Sequence, residues 1–224
     1  MFKSVKTSFL AAILVGSALI ANAQKKISQG TITYSIEYGP ELAAMVSQLP
    51  KEQKLKFNGN IISTDAQYGP AKTVSFRDFI DKKAVTLIDI PIMQKQYAVK
   101  MTKEEIEQME GMSPKLTDFK PTGEKQKIAN YNAEKYTYKD DKGTVYELWA
   151  TTEVELPDGF SGSQFKDVKG TLVKYTTFEN GAKITLTAKN ISDEKVGPFS
   201  LEIPSSYELK TMQEIMAMMQ GGGQ

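Results

Sequence analysis

The sequence predicts a mainly β protein of the α+β kind. It reads as a large curled antiparallel sheet, or half-barrel, of about ten or eleven strands with two or three short helices on the concave side. Three observations predict it. Apolar and polar residues alternate with period two in one run after another. Short turn formers separate the runs, among them Asn58-Gly59, Asp81-Lys82-Lys83 and Asn180-Gly181. Helical spacing occurs only in a few short windows, and there are no internal repeats.

Residues 29–38 (QGTITYSIEY) form the first strand, with Ile32, Tyr34 and Ile36 on one face and Thr31, Thr33, Ser35 and Glu37 on the other. Residues 41–49 read as a short helix, with Leu42, Met45, Val46 and Leu49 at helical spacing and Pro50 closing it. Strands follow at 54–58 and 60–67, around Asn58-Gly59. Further strands at 73–79, 84–90 and 94–101 extend the meander, and Tyr97 and Val99 share a face in the last. Thr102 with Glu105 three residues on makes a capping box. The helix behind it carries Ile106 and Met109 and ends near Gly111, before Pro114. Residues 120–123 read as a polar connector.

The strongest fold signal is the stretch 122–152. Residues 128–139 and 144–151 alternate on either side of Asp140-Asp141-Lys142-Gly143, where Gly143 supplies a positive φ. Tyr136 and Tyr138 oppose Tyr131, Ala133, Lys135 and Thr137. Tyr146, Leu148 and Ala150 oppose Val145, Glu147 and the only tryptophan, Trp149. Trp149 is either a core strand residue or the wall of a ligand pocket. A loop at 156–162 leads to strands at 171–179 and 182–190, and a last short strand at 199–203 precedes Pro204. Ser205 with Glu208 then makes a second capping box. The helix it opens carries a stripe of Leu209, Met212, Ile215, Met216 and Met219 and stops at Gly221-Gly222-Gly223.

The organisation reads as a leader at 1–23, a single β-rich domain at 24–220 and a disordered glycine-rich tail at 221–224. Lys3 and Lys6, the apolar run 9–20 and Ala21-Asn22-Ala23 match a cleavable export signal. The apolar run is shorter than the roughly 20 residues of a membrane span. The mature chain then starts at Gln24, is not membrane-spanning, and resides in the periplasm or outside the cell. No cysteine follows Ala23, so there is no lipid-attachment cysteine and no disulfide framework. Without Lys3 and Lys6 the chain has 26 basic and 27 acidic residues, a net charge of −1, which gives no reason to expect nucleic acid or an anionic membrane as a partner.

Much chemistry is excluded. Histidine is absent, which removes the usual nucleophilic triads and, with cysteine also absent, the usual ligands for zinc, copper, haem and iron–sulfur groups. No phosphate-binding glycine loop occurs, and Asp140-Asp141 reads as a solvated turn rather than a calcium site. Carboxylates are the remaining acid–base option: Asp78, Asp81 and Asp89 near one hairpin, and Glu153 and Glu155 after Trp149. The expectation is a non-enzyme with no cofactor and no metal. Ten methionines, several within 101–112 and 212–219, either fill gaps beneath helices or form an adaptable apolar surface.

The segment from Thr122-Gly123-Glu124 through Ile128-Ala129-Asn130-Tyr131-Asn132-Ala133-Glu134-Lys135-Tyr136, followed by Glu147-Leu148-Trp149-Ala150-Thr151, resembles a family of exported Gram-negative bacterial proteins known only as a domain of unknown function. Asn130 stands where that family has glycine, and residues 199–207 (FSLEIPSSY) resemble its closing segment. The resemblance implies a fold similar to periplasmic lipoprotein carriers, a half-barrel with helices plugging its concave side. It carries over no catalytic residue. The functional expectation is a non-enzymatic periplasmic carrier for a hydrophobic ligand such as a lipid or acyl chain, with Trp149, Met212 and Met216 as ligand-contacting residues. The alternative is a structural or protein-interaction module of the cell envelope, whose partner would be an envelope protein. Oligomeric state stays open.

Overall fold

A computed structural model describes residues 24–221, apart from Gly69 and Asn180. The expected leader and residues 222–224 of the expected tail lie outside the described residues, as do the side chains of Met216 and Met219. The elements are β1 (Lys25–Lys26), β2 (Gln29–Tyr38), β3 (Glu52–Asn58), β4 (Ile61–Tyr68), β5 (Ala71–Asp78), β6 (Lys83–Ile90), β7 (Lys95–Met101), α1 (Lys103–Gly111), β8 (Thr117–Ile128), β9 (Tyr131–Lys139), β10 (Val145–Thr151), β11 (Val154–Glu155), β12 (Thr171–Glu179), β13 (Ala182–Ser192), β14 (Glu208–Lys210) and α2 (Met212–Gly221).

The fold is mainly β, as expected. Twelve strands form one sheet in the order β14-β7-β6-β5-β4-β3-β2-β13-β12-β10-β9-β8, open at both edges, while β1 and β11 pair separately. The sheet is mixed rather than purely antiparallel, because β14 runs parallel to β7. It curls strongly at one end: β8 touches β13 although β9, β10 and β12 lie between them in the order. The enclosed face holds the main core, with Ile32, Tyr34, Phe57, Ile128, Ala133, Trp149, Val173 and Leu186 among its members.

A second cluster fills a wedge in the sheet. The β10–β12 ladder covers only Trp149 to Thr151, with a register shift between Trp149 and Ala150. Beside it, Tyr138 stacks on Phe119 and Tyr146, Tyr146 meets Phe178 edge-on, and Phe165 meets both Tyr138 and Tyr175. Aromatic bulk thus bridges strands that hydrogen bonds do not. Burial pushes the Tyr138 hydroxyl up to about 12, against the lowering effect of its contact with the Thr176 carbonyl.

Several local expectations are corrected. Residues 41–49 are not an α-helix but two 3-10 turns, Pro40–Leu42 and Val46–Gln48. Met45 and Val46 remain 52 % and 44 % exposed, so the apolar stripe finds no surface to pack on, and a segment this short does not hold a helix by itself. Residues 120–123 are not a connector; they belong to β8, a twelve-residue edge strand exposed along almost its whole length. The expected strand 128–139 begins three residues later, at Tyr131; Ile128 ends β8, and Ala129 and Asn130, with φ of +50° and +71°, form the turn between the two. Asparagine tolerates that left-handed geometry better than most residues.

Residues 199–203 form no strand. Residues 193–204 are a strap without ladder pairing that ends in a turn at Ser205-Ser206, held to the convex face by Asn58 Nδ2 donating to the Val196 carbonyl and by Phe199 beside Phe76. The Ser205–Glu208 box is also corrected. Glu208 belongs to β14, and the box forms one turn later, where Thr211 Oγ1 accepts from Glu214 N–H and Glu214 Oε2 accepts from Thr211 N–H. The first box, Thr102 with Glu105, forms as expected.

The turn after β9 is held by one carboxylate. Asp140 accepts from Lys142 N–H at 2.9 Å, Thr144 N–H at 2.8 Å and the Tyr146 hydroxyl at 3.1 Å. Desolvation pushes its pKa up, but the hydrogen bonds from Thr144, Tyr146 and Lys142 outweigh it and hold the group below the usual value. The contribution to stability is therefore complete above the unfolded value of about 3.9 and is lost as pH falls through the lower folded value. Asp140→Ala is expected to unfold at lower urea than the native chain near neutral pH, with the gap narrowing as pH falls below the unfolded value of about 3.9. A gap that stays constant across a urea titration series from neutral to acid pH would contradict this assignment.

Candidate apolar binding face

Register carries a single face across the sheet: Leu55 lies opposite Thr64, Thr64 opposite Ser75, Ser75 opposite Thr86, and Thr86 opposite Val99. The same register places Ile32 opposite Leu55, so this face is continuous with the one that holds the main core. On β4, β5 and β6 it presents Ile62, Thr64, Ala66, Thr73, Ser75, Thr86, Ile88 and Ile90, all half-buried. The band is aliphatic and small-hydroxyl, without a charge until exposed Arg77. Three of its four hydroxyls have partners within the sheet. Ser75 Oγ and Thr86 Oγ1 are 2.9 Å apart, and Thr73 Oγ1 donates to the Ala66 carbonyl at 3.3 Å. The band therefore makes little polar demand on whatever lies against it.

Both helices lie on this face. On α2, Ile215 packs on Tyr97 and Val99, with Ile88 and Ile90 beside them. α1 buries Ile106 and is tied down by ion pairs, from Arg77 to Glu110 at 2.6 Å and from Lys82 to Glu110 at 2.9 Å and Glu107 at 3.3 Å. The side-chain hydrogen bond from Glu110 raises the Lys82 pKa, more than burial lowers it. On the other flank of the band, Phe57 meets Phe160 edge-on at the border of the main core.

The three sequence-predicted contact residues are not gathered in one place. Trp149 lies on β10 inside the main core, 7 % exposed, with Lys135 Nζ 6.0 Å from its ring centre. Lys135 is itself held by Glu147 at 2.7 Å and Glu124 at 3.1 Å, and those bonds raise its pKa. Met212 is 42 % exposed at the start of α2, beyond β2 from Trp149 in the strand order. It lines a cleft of about 280 Å³ with Val99, Met101 and Leu209, edged by Lys100, Lys210, Glu105 and Glu214. Met216 sits on α2, and its side chain is outside the described residues.

Sequence reasoning missed two features. The half-buried band on β4–β6 has ordinary strand alternation, and only the register shows that its positions line up on one face. A cleft of about 380 Å³ on the convex side is formed where the strap passes over Phe76, Leu87 and the Lys56–Asp65 ion pair. It exists only because the strap lies there.

The carboxylates singled out earlier have structural work. Asp78 accepts from the backbone N–H groups of Ile80 and Asp81 and from Asn60 Nδ2. Asp81 pairs with Lys83, Glu155 with Lys26, and Glu153 accepts from the Asn132 backbone and side chain. Asp89 lies opposite Lys72, a residue away from the band in register and so on the other face. Among the described residues no cluster of three or more acidic side chains has metal-binding geometry, and no helix is long and apolar enough to cross a membrane. No family model matches the chain, and no curated protein is similar to it in sequence.

Proposed function

We propose that this chain is an exported, non-enzymatic carrier that holds an apolar ligand, such as a lipid or acyl chain, in the periplasm. The observation that carries the reading is the uncharged, half-buried band of Ile62, Ala66, Ser75, Thr86, Ile88 and Ile90 between α1 and α2. A band of this composition has only apolar area to offer, and burying that area drives binding. The leader-like residues 1–23 and the resemblance of residues 122–151 to an exported family support the compartment.

The interaction-module reading has less support. The free edge of β8 carries Lys120, Pro121, Lys125 and Lys127 and two register shifts, features that oppose strand addition.

The test is binding of a fluorescent fatty acid to the native chain and to Ala66→Trp, which fills the band. Affinity is expected to fall about tenfold in the variant, equivalent to about 1.4 kcal/mol. Equal affinity would place the site elsewhere, and no binding by the native chain, together with no lipid co-purifying by mass spectrometry, would overturn the proposal.

A further inference from the structure

We infer that the tip of the β6–β7 hairpin, Pro91–Met93, is a membrane anchor that inserts Ile92 and Met93 into a phospholipid bilayer; the inference rests on the carrier reading and names where cargo would enter and leave. Ile92 is 82 % exposed, more than any other large apolar side chain described, and its neighbour Met93 is 60 % exposed. The tip is a 3-10 turn with Pro91 in its first turn and Gln94 closing it at φ +52°. Proline fixes one end and a left-handed residue the other, so the turn holds both side chains out. Exposed Lys95 follows directly and suits the phosphate level of a bilayer.

Two arguments favour a bilayer over a protein partner. A stable protein interface takes roughly 800 Å² from each side. Three tip residues fall far short of that, and Gln94 and Lys95 end the apolar surface on one side. A fluid hydrocarbon phase needs no complementary surface, and insertion strength follows apolar area alone. The second argument is continuity. On β6 the apolar positions of the concave band, Ile88 and Ile90, end at the tip, and Ile92 follows within the 3-10 turn. α2 runs the same way: Met212 lies by Val99 and Met101, Ile215 lies over Ile88 and Ile90, and Met218 one turn on is 41 % exposed. An acyl chain leaving the band at this end meets the bilayer without crossing water.

The experiment is flotation of the full mature chain with mixed phosphatidylethanolamine–phosphatidylglycerol vesicles. The native chain is expected to float. The double variant Ile92→Asp with Met93→Asp is expected to lose about tenfold in the floated fraction. Its thermal unfolding, followed by circular dichroism, is expected to be unchanged, because both side chains are already in water. Ile80→Asp, at the opposite end of β6 and 58 % exposed, is the control and is expected to float normally. Failure of the native chain to float, normal flotation of the double variant, or equal loss in Ile80→Asp would each overturn the anchor. So would a native dimer that the double variant dissociates without any flotation. Fatty-acid binding in solution, measured on the same proteins, separates the two ideas: a double variant that binds the probe but does not float supports the anchor, whereas a native chain that floats but binds no probe refutes the carrier reading alone.

Discussion

Trp149→Ala is expected to lower the stability of the native chain by about 3–5 kcal/mol, the range for deleting a large aromatic side chain from a packed interior. The ring lies on β10 within the cluster that joins β2, β3, β8, β9, β12 and β13, at the end where the sheet curls over itself. The next strand is in contact only over a three-residue ladder there, so hydrogen bonding does little to hold the curl closed and side-chain packing must do so. Removing the indole leaves a cavity where β9 and β12 meet β10, and it takes away the aromatic face beneath Lys135. That second loss is small, because Lys135 keeps Glu147 and Glu124. Urea unfolding followed by circular dichroism measures the effect. A loss under about 1 kcal/mol would show that the ring is not part of the core.

Gly30→Ala is expected to cost about 3 kcal/mol or more, at the upper end for forcing extra volume into a packed interior. Gly30 lies in β2 opposite Phe57, and a Cβ there would sit 1.9 Å from the Ser192 carbonyl oxygen and 3.2 Å from Asp193 Cα. Both are backbone atoms, so no side-chain rotation relieves the clash. The chain would have to open the end of the β2–β13 ladder, where Thr31 pairs with Ser192, and shift the start of the strap. A glycine inside a strand commonly marks such a close backbone approach. The prediction is a lower unfolding midpoint together with faster exchange of the amides near Ser192. An alanine variant as stable as the native chain would mean that the strap leaves β13 by another path.

Much of the fold is legible in the residues, and the limits are specific. The strands 29–38, 84–90 and 171–179 alternate because each has one face on the core, and the Thr102–Glu105 box is a local motif that needs no partner. The edge strand β8 was hidden for the opposite reason: a strand that faces water on both sides has no apolar alternation to read. The sequence holds two boxes of the same pattern near the end, Ser205 with Glu208 and Thr211 with Glu214. Only the pairing of β14 with β7 excludes the first. The band on β4–β6 was invisible as a site because its residues are ordinary strand residues. What distinguishes them is that the register lines them up on one half-buried face.

By itself the sequence determined the β class, the turns at 58–59, 81–83 and 140–143, the exclusion of histidine and cysteine chemistry, and the face to which the core-facing strands turn their apolar residues. These follow from backbone geometry within a few residues, where period two and capping chemistry are local. The tertiary structure alone decided which strand edges meet, that the strap crosses the convex face, that β14 runs parallel, and that Trp149 and the methionine-bearing α2 lie at different ends of the sheet. Those depend on contacts between residues far apart in the chain, and a side chain's own pattern does not say which distant backbone it will touch.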